Sequence, residues 1–251
     1  MAYYYVQNNG SVNQGGGFDF QLFLKIIAVL FVASKIIKDP LLLVELPLIL
    51  FSLSFHEYAH ARMAVFLGDP TPKLQGRLSL NPMAHLDPLG TLSMMLFRVG
   101  WAKPVVVEAR NFRNPGRAMA SVAMAGPLSN LFLASLAAML MTVASKFFQT
   151  KGLGMLLGII LFRFVMINLA LFVFNMLPIR PLDGSRLLDY WLPLKFKMKY
   201  GRYLDTLTPV FMIMLLFGAF TPVIIGGIKF SLGLLNLVFP GIGPFIPPIL
   251  R

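Results

Sequence analysis

The sequence predicts an all-α polytopic membrane protein with about six transmembrane helices. Of its 251 residues, 57% are hydrophobic and only 13% are charged, a composition too apolar for an ordinary soluble domain. The apolar residues are gathered in runs close to the length of a membrane-spanning helix, and the basic residues stand between these runs. Basic residues at such places orient a protein in a lipid bilayer, so the net charge of +12 does not indicate nucleic-acid binding.

The N-terminal stretch, residues 1–17, is polar and rich in Tyr, Asn, Gln and Gly, which predicts a flexible segment. It carries no basic region ahead of the next apolar run, so we expect no signal peptide. Residues 18–251 are predicted to form a single membrane-embedded domain. The chain contains no cysteine, which excludes disulfides and thiolate metal ligands.

The predicted spans follow one another along the chain. They cover residues 20–37, 41–67, 118–148 and 153–177, with one or two more in 207–250. Thr221-Pro222 and Gly226-Gly227 interrupt that last region, so its path is not fixed by the sequence. A shorter apolar run at residues 89–97 is too brief for a span and is predicted to re-enter or to pack against the bundle.

Two long basic connections, residues 68–117 and 178–203, are separated by two spans and therefore lie on one side of the membrane. The positive-inside rule makes that side cytoplasmic, and we expect the chain in the plasma membrane. Strand-like composition at residues 73–80 and 103–109 predicts a small β element in the loop after the second span.

The second predicted span contains the pattern His56-Glu57-Tyr58-Ala59-His60. Histidines at i and i+4 lie on one helix face, so both imidazoles can reach one tetrahedral zinc ion. Glu57 lies beside this face and can take a proton from a water molecule at the zinc. The pattern alone arises by chance, but an ionisable residue within a span costs roughly 2.5 kcal/mol or more and indicates function.

Zinc needs a third protein ligand if one position is to stay open for water. Asp183 is the best candidate, because it follows the end of a later span on the side where the topology also places His56 and His60. Pro178 and Pro181 predict that the helix unwinds before it, and unwound backbone at membrane depth is tolerated where it lines a wet cavity. The alternative role for Asp183 is a capping or turn carboxylate.

With these features together, the sequence resembles the site-2 protease family of intramembrane zinc metalloproteases, in its compact bacterial and archaeal branch. The resemblance is carried by four segments: His56-Glu57-x-x-His60, Asn81-Pro82-x-x-His85-x-Asp87-Pro88-x-Gly90, Gly126-Pro127-x-x-Asn130 and Asn175-x-x-Pro178-x-x-Pro181-Leu182-Asp183-Gly184. Their order and spacing are far more specific than the zinc pattern alone.

The resemblance implies that His56, His60 and Asp183 bind zinc and that Glu57 activates water. It also implies a membrane-embedded core that cleaves a transmembrane segment of a protein or peptide substrate. Asn175 matches the family's asparagine ahead of the aspartate, where an amide would orient the substrate or stabilise the oxyanion. The sequence leaves no stretch for the PDZ or CBS domains of some relatives, so we expect no regulation of that kind within this chain.

The role of His85 stays open at this point. A structural hydrogen-bonding role, a substrate-proximal role and transient metal ligation are all compatible with the sequence, and we favour the first two. Asn81, Pro82, Asp87 and Pro88 around it are typical of turns.

The expected function is that of a zinc-dependent metalloendopeptidase performing regulated intramembrane proteolysis. One alternative is a divalent-metal transporter, which also places His and Asp within spans; a Glu beside paired histidines fits hydrolysis better, and we find no inverted repeat. The other is a prenyl-protein peptidase acting on a lipidated C-terminal peptide. The sequence does not determine the oligomeric state.

Overall fold

A computed structural model describes residues 40–87, 102–148 and 151–250, together with Ser34, Ile37, Lys38 and Gly90. These parts of the chain are mostly helical. The helices are α1 (Leu42–Phe66), α2 (Thr71–Leu74), α3 (Pro115–Val143), α4 (Ser145–Phe148), α5 (Leu153–Asn175), α6 (Asp183–Trp191), α7 (Leu194–Leu216) and α8 (Thr221–Val238). Single 3₁₀ segments cover Pro82–Ala84, Ala109–Asn111, Pro240–Phe245 and Pro248–Leu250.

Four of the described helices, α1, α3, α5 and α8, are long and apolar enough to cross a membrane. Three coincide closely with the predicted segments 41–67, 118–148 and 153–177, and α8 lies in the last apolar region. The chain is therefore a membrane protein. About six spans are not confirmed. The segment 1–17 and most of the predicted span 20–37 and of the run 89–97 lie outside the described residues, and α7 begins within the basic connection.

Local sequence explains where the long helices begin and end. The side chain of Asn114 accepts a hydrogen bond from the Arg117 backbone N–H, and Pro115 follows at the first position of α3, where its missing N–H is harmless. Helix α5 ends at Asn175, because Pro178 cannot continue the backbone ladder. The chain then runs irregularly until α6 begins at Asp183.

Helices α1 and α3 pack antiparallel to each other. His56 contacts Asn130, whereas His60, one turn later in α1, contacts Val122, two turns earlier in α3. The C-terminal end of α1 and the N-terminal end of α3 therefore lie at the same end of the bundle.

Helices α1 and α5 pack parallel to each other. Glu45 near the start of α1 forms an ion pair with Arg163, and Ser52 further along α1 accepts a hydrogen bond from Asn168, further along α5. The C-terminal ends of α1 and α5 consequently lie together. This parallel register brings the chain after α5 to the zinc pattern in α1.

Two apolar clusters lie on either side of a polar layer along α3. The smaller packs Ala64 and Phe112 against the first turns of α3 at Ala118 and Val122. The larger one joins the second half of α3 to α5, α8 and the C-terminal 3₁₀ segment, and its members are Ala134, Ala137, Ala138, Met141, Phe148, Phe162, Val165, Leu169, Leu232, Leu235, Ile242 and Ile246. The polar layer between the clusters contains the histidine pair.

The predicted β element is not confirmed in the described part of the loop after α1. Residues 71–74 are helical, and the pairing there is one isolated antiparallel bridge between Leu86 and Ala102. The buried carboxylate of Asp69 accepts the backbone N–H of Glu108 at 2.8 Å and the side-chain amide of Asn111 at 2.7 Å. The Asp69 side chain thus takes the hydrogen bond of the Glu108 N–H, a backbone group that the composition had predicted to lie in a strand.

Candidate metal centre

Three ligand atoms from two distant parts of the chain converge in the polar layer. The Nε2 atoms of His56 and His60 lie 3.0 Å apart, and each lies 3.2 Å from Oδ2 of Asp183. The histidines come from consecutive turns of α1, and Asp183 is the first residue of α6. The structure therefore brings together the three residues that the sequence predicted as metal ligands.

Hydrogen bonds on the far side of each ring set how the imidazoles face the site. Nδ1 of His60 lies 2.7 Å from the Val122 carbonyl oxygen, which can only accept, so Nδ1 carries the proton. Nδ1 of His56 lies 2.7 Å from Oδ1 of Asn130. With both Nδ1 atoms donating outward, the neutral rings turn the lone pairs of their Nε2 atoms toward Asp183.

The chemistry and spacing of these atoms fit a zinc ion. Two imidazole lone pairs and a carboxylate oxygen repel one another in a buried place unless a cation or protons lie between them. Around tetrahedral zinc with bonds of about 2.0–2.1 Å, neighbouring ligand atoms stand about 3.3 Å apart, close to the observed separations. His56 and His60 are 4% and 7% exposed, whereas the Asp183 side chain is 18% exposed, so the site opens toward Asp183.

Gly126 of α3 leaves the space that such an ion requires. A Cβ atom added at this position would lie 2.3 Å from Nε2 of His60 and 2.6 Å from Nε2 of His56. Because Gly126 has no side chain, the space beside the converging ligand atoms stays open for an ion. Ser129, one turn later, donates its hydroxyl to the Gly126 carbonyl.

Asp183 reaches the histidines because α6 starts against the backbone that leaves α5. A Cβ at Gly184 would lie 2.3 Å from the Met176 carbonyl oxygen and 2.5 Å from that of Leu177, so this close approach requires glycine. Burial raises the pKa of the Asp183 carboxyl, but where protons on the imidazoles take the place of the cation, their hydrogen bonds and positive charge outweigh burial and hold this pKa below the ordinary value. The carboxyl is ionised at neutral pH, as a metal ligand must be.

The other predicted site residues lie at different distances from this centre. Glu57 is partly buried, and its carboxylate interacts electrostatically with His60, which lies three residues later on α1. Asn175 is the last residue of α5, and its side-chain amide donates to the Leu171 carbonyl at 3.0 Å.

His85 is not part of the cluster of ligand atoms that the described residues form. It is 1% exposed, and its Nε2 donates to the Ser79 carbonyl at 2.7 Å. Around it, Asn81 accepts from the Met83 backbone N–H at 3.1 Å. The sequence favoured a structural or a substrate-proximal role for His85, and the choice between these two stays a prediction.

Sequence reasoning assigned no role to three residues that shape the site: Gly126, Asn130 and Asn168. The first two were noted only as part of a family-like segment. Asn168 lies in the middle of the largely apolar helix α5, and a polar residue within a span is itself a signal of function. That signal was present in the sequence, but nothing local connects it with α1.

Comparison with known proteins gives relatives of one kind. Over 152 residues the chain is 41% identical to "Putative zinc metalloprotease YwhC" of Bacillus subtilis, a match covering 58% of the chain and 67% of that protein. It is 30% identical over 145 residues to "Putative zinc metalloprotease Rip2" of Mycolicibacterium smegmatis and 32% to the Mycobacterium tuberculosis protein of that name. These two matches cover 56% of the chain and 54% of each relative, so the chain spans about half their length. No family model and no solved structure matches the chain.

The apolar helices and the His–His–Asp set of ligand atoms define a membrane protein with a metal site, and the relatives' names agree on zinc as its cofactor and on a metalloprotease as its class. The chain belongs to the site-2 protease family of zinc metalloproteases.

Proposed function

We propose that this protein is an intramembrane endopeptidase that uses zinc to hydrolyse a peptide bond in or near a transmembrane segment of a membrane protein, as in regulated intramembrane proteolysis. The observation that carries the proposal is the convergence of Asp183 on His56 and His60. The two histidines lie in a helix apolar enough to span a membrane, and this helix also carries Glu57, whose carboxylate interacts electrostatically with His60. The natural substrate, its cut site and the oligomeric state are separate questions.

In this proposal His56, His60 and Asp183 hold the metal and Glu57 is the general base. Bound zinc supplies Lewis acidity, which makes a water molecule acidic near neutral pH and polarises a peptide carbonyl. Glu57 takes the proton from the attacking water and passes it to the leaving amine nitrogen. The partial burial of Glu57 limits competing water around its carboxylate.

Asn175 is proposed to act on the substrate. It ends α5 eight residues before Asp183, at the same end of the bundle as the metal centre. An amide there donates to a substrate carbonyl or to the oxyanion of the tetrahedral intermediate. His85 is assigned a structural role in the loop after α1, because a backbone carbonyl engages its Nε2.

The proposed location is the plasma membrane, with the metal centre toward the cytoplasm. The C-terminal ends of α1 and α5 lie together, and both lead into the basic connections. The positive-inside rule then supports a cytoplasmic position for this end of the bundle. Residues 18–251 are proposed to act as a single domain.

The test compares the purified chain with its Glu57→Gln variant. Each is analysed for zinc content and for cleavage of peptides that contain a transmembrane segment. We expect both proteins to hold one zinc and the variant to lose cleavage by about 10²-fold or more, because only the base is removed. Glu108→Gln is the matched control, since the Glu108 side chain is 40% exposed and pairs with Arg110 on the surface.

Each alternative function gives a different result in this assay. A divalent-metal transporter would cleave nothing and would move zinc into liposomes. A prenyl-protein peptidase would cleave lipidated C-terminal peptides in preference to transmembrane ones. Absence of zinc from the wild-type protein, or full activity of Glu57→Gln, would contradict the proposal.

A further inference from the structure

We infer that Asn130, Asn168 and Ser52 form a positioning relay that holds His56 in the tautomer able to bind the metal. This inference rests on the proposed metal site and adds residues that supply no ligand atom of their own. The three relay residues come from three spans, α3, α5 and α1, and each is 0% exposed. A network of this kind fixes orientation when every polar group in it has a partner.

The direction of the relay is set at its far end by a backbone carbonyl. The side-chain nitrogen of Asn168 lies 2.9 Å from the Phe164 carbonyl oxygen, which can only accept a hydrogen bond. Its second N–H points to Oγ of Ser52 at 3.0 Å. The amide of Asn168 therefore has one allowed orientation, and its Oδ1 must face Asn130.

The second amide takes its orientation from the first. The side-chain nitrogen of Asn130 lies 3.0 Å from Oδ1 of Asn168 and 3.4 Å from the Ser52 carbonyl oxygen. Its Oδ1 is consequently turned to His56, 2.7 Å from Nδ1. An acceptor at that place requires the proton of the neutral ring on Nδ1 and leaves Nε2 with a lone pair for the metal.

Reversal of the relay would be costly and would block the site. If the Asn130 amide turned over, its N–H groups would face Nδ1 of His56, and the ring proton would move to Nε2. The Asn130 oxygen would then face the Asn168 oxygen without a proton between them. No water competes for these groups, because the relay residues are fully buried.

The two histidines differ in what sets their tautomers. Nδ1 of His60 donates to the backbone carbonyl of Val122, which no substitution removes. Nδ1 of His56 depends on a side chain that is itself oriented by another side chain. Changes in the relay should therefore affect His56 and leave His60 as it is, a selectivity that loss of packing alone would not produce.

The first readout is zinc affinity, measured by competition with a chelator in the full-length protein. Asn130→Leu should bind zinc about 10–100-fold more weakly, the usual effect of losing a partner of a metal-bound histidine. Asn168→Leu should have a smaller effect, since the Asn130 oxygen remains but is free to turn away. Asn130→Asp keeps an acceptor for His56 and should bind zinc more tightly than Asn130→Leu. Ser135→Ala on the same helix removes a hydroxyl that donates to the Leu131 carbonyl of its own helix and is the control.

The second readout is the tautomer itself in metal-free protein, by ¹⁵N NMR of the imidazoles. The chain has three histidines, so each ring can be assigned by substitution. We expect the proton on Nδ1 of His56 in the wild type and in Asn130→Asp, and mixed tautomers in Asn130→Leu, with His60 unchanged throughout. A role in folding alone would lower the melting temperature of Asn130→Asp and Asn130→Leu alike and leave the His56 tautomer unaltered.

The outcomes separate this inference from the proposed function. If the wild type binds no zinc, the proposed function fails, and the NMR comparison still decides the relay. If the wild type binds zinc and Asn130→Leu keeps both its zinc affinity and its His56 tautomer, the relay is wrong. Should Asn130→Leu fail to fold, an unchanged affinity and tautomer in Asn168→Leu would overturn the relay equally.

Discussion

The backbone of Gly126 lies so close to His60 that an added Cβ atom would stand 2.3 Å from its Nε2. The same Cβ would lie 2.6 Å from Nε2 of His56, so it would occupy the space that the two ligand atoms face. Helices α1 and α3 thus form one wall of the metal centre only because this position has no side chain.

Gly126→Ala is therefore expected to abolish or strongly weaken zinc binding, because the methyl group takes the position of the ion. Zinc content and chelator competition measure this. The control is Gly233→Ala in α8, where an added Cβ meets nothing within 4 Å. Alanine there should leave zinc binding unchanged and, as a helix interior substitution, stabilise by about 0.5–1 kcal/mol. Equal zinc affinity in both variants would rule out the crowding explanation.

Removal of zinc is expected to lower the thermal stability of the protein. The facing ligand atoms of His56, His60 and Asp183 lose the cation between them, and a ligand present at 100 times its Kd contributes about 2.7 kcal/mol to the folded state. The measurement is the melting temperature with and without a chelator. Asp183→Ala should melt at the same temperature under both conditions; a chelator effect of wild-type size in that variant would place the metal elsewhere.

Asp69 should make stability depend on acid pH. Burial raises its pKa, but hydrogen bonds from Thr71, Asn111 and the Glu108 backbone outweigh burial and hold the pKa below its ordinary value. Because the folded pKa is lowered, this stabilisation is complete above the unfolded pKa of about 3.9 and is lost as pH falls through the folded pKa.

Asp69→Asn tests this dependence. The new side-chain NH2 group would face the Glu108 N–H, and since both groups are donors, that hydrogen bond is lost. We expect the free energy of unfolding to fall by about 1–3 kcal/mol at neutral pH. The difference from wild type should shrink as the pH is lowered below about 4. Unfolding followed by circular dichroism across this range is the measurement, with Glu108→Gln as the control that keeps the backbone donor. A difference independent of pH would show that the charge of Asp69 does not matter.

Glu45 and Arg163 form an ion pair between two spans, α1 and α5. Either single substitution, Glu45→Gln or Arg163→Met, leaves an unpaired charge in an apolar environment and should destabilise the protein. The double variant should be more stable than the sum of the singles implies, with a coupling of ~0.5–3 kcal/mol. Melting temperatures of the four proteins give the coupling, and strict additivity would mean that the pair contributes nothing in the membrane.

The orientation of the bundle can be read from single cysteines, because the natural chain has none. Lys103 lies in the connection after α1, and Lys151 lies between α4 and α5; both are exposed. With the metal centre toward the cytoplasm, a membrane-impermeant maleimide should label Lys151→Cys in intact cells and Lys103→Cys only after permeabilisation. The reverse pattern would invert the proposed topology, and the cysteine-free chain measures background labelling.

Prediction from sequence succeeded where a pattern is local. The helical bounds of α1, α3 and α5 follow from runs of apolar residues, and the shared face of His56 and His60 follows from helical spacing. The β element after α1 was not confirmed, since strand-like composition at residues 103–109 says nothing about the carboxylate of Asp69, which takes the Glu108 N–H. About six spans were predicted, and within the described residues four helices, α1, α3, α5 and α8, are long and apolar enough to cross a membrane.

The sequence by itself determined the ligand types and their burial: two histidines one turn apart in an apolar helix, and an aspartate after a proline-broken one. Tertiary structure decided what completes the centre. The parallel register of α1 and α5 places Asp183 3.2 Å from both histidines, and the antiparallel approach of α3 brings in Gly126 and Asn130. These contacts join residues more than 60 positions apart, so helical periodicity cannot predict them. They form only when three helices are packed in one register.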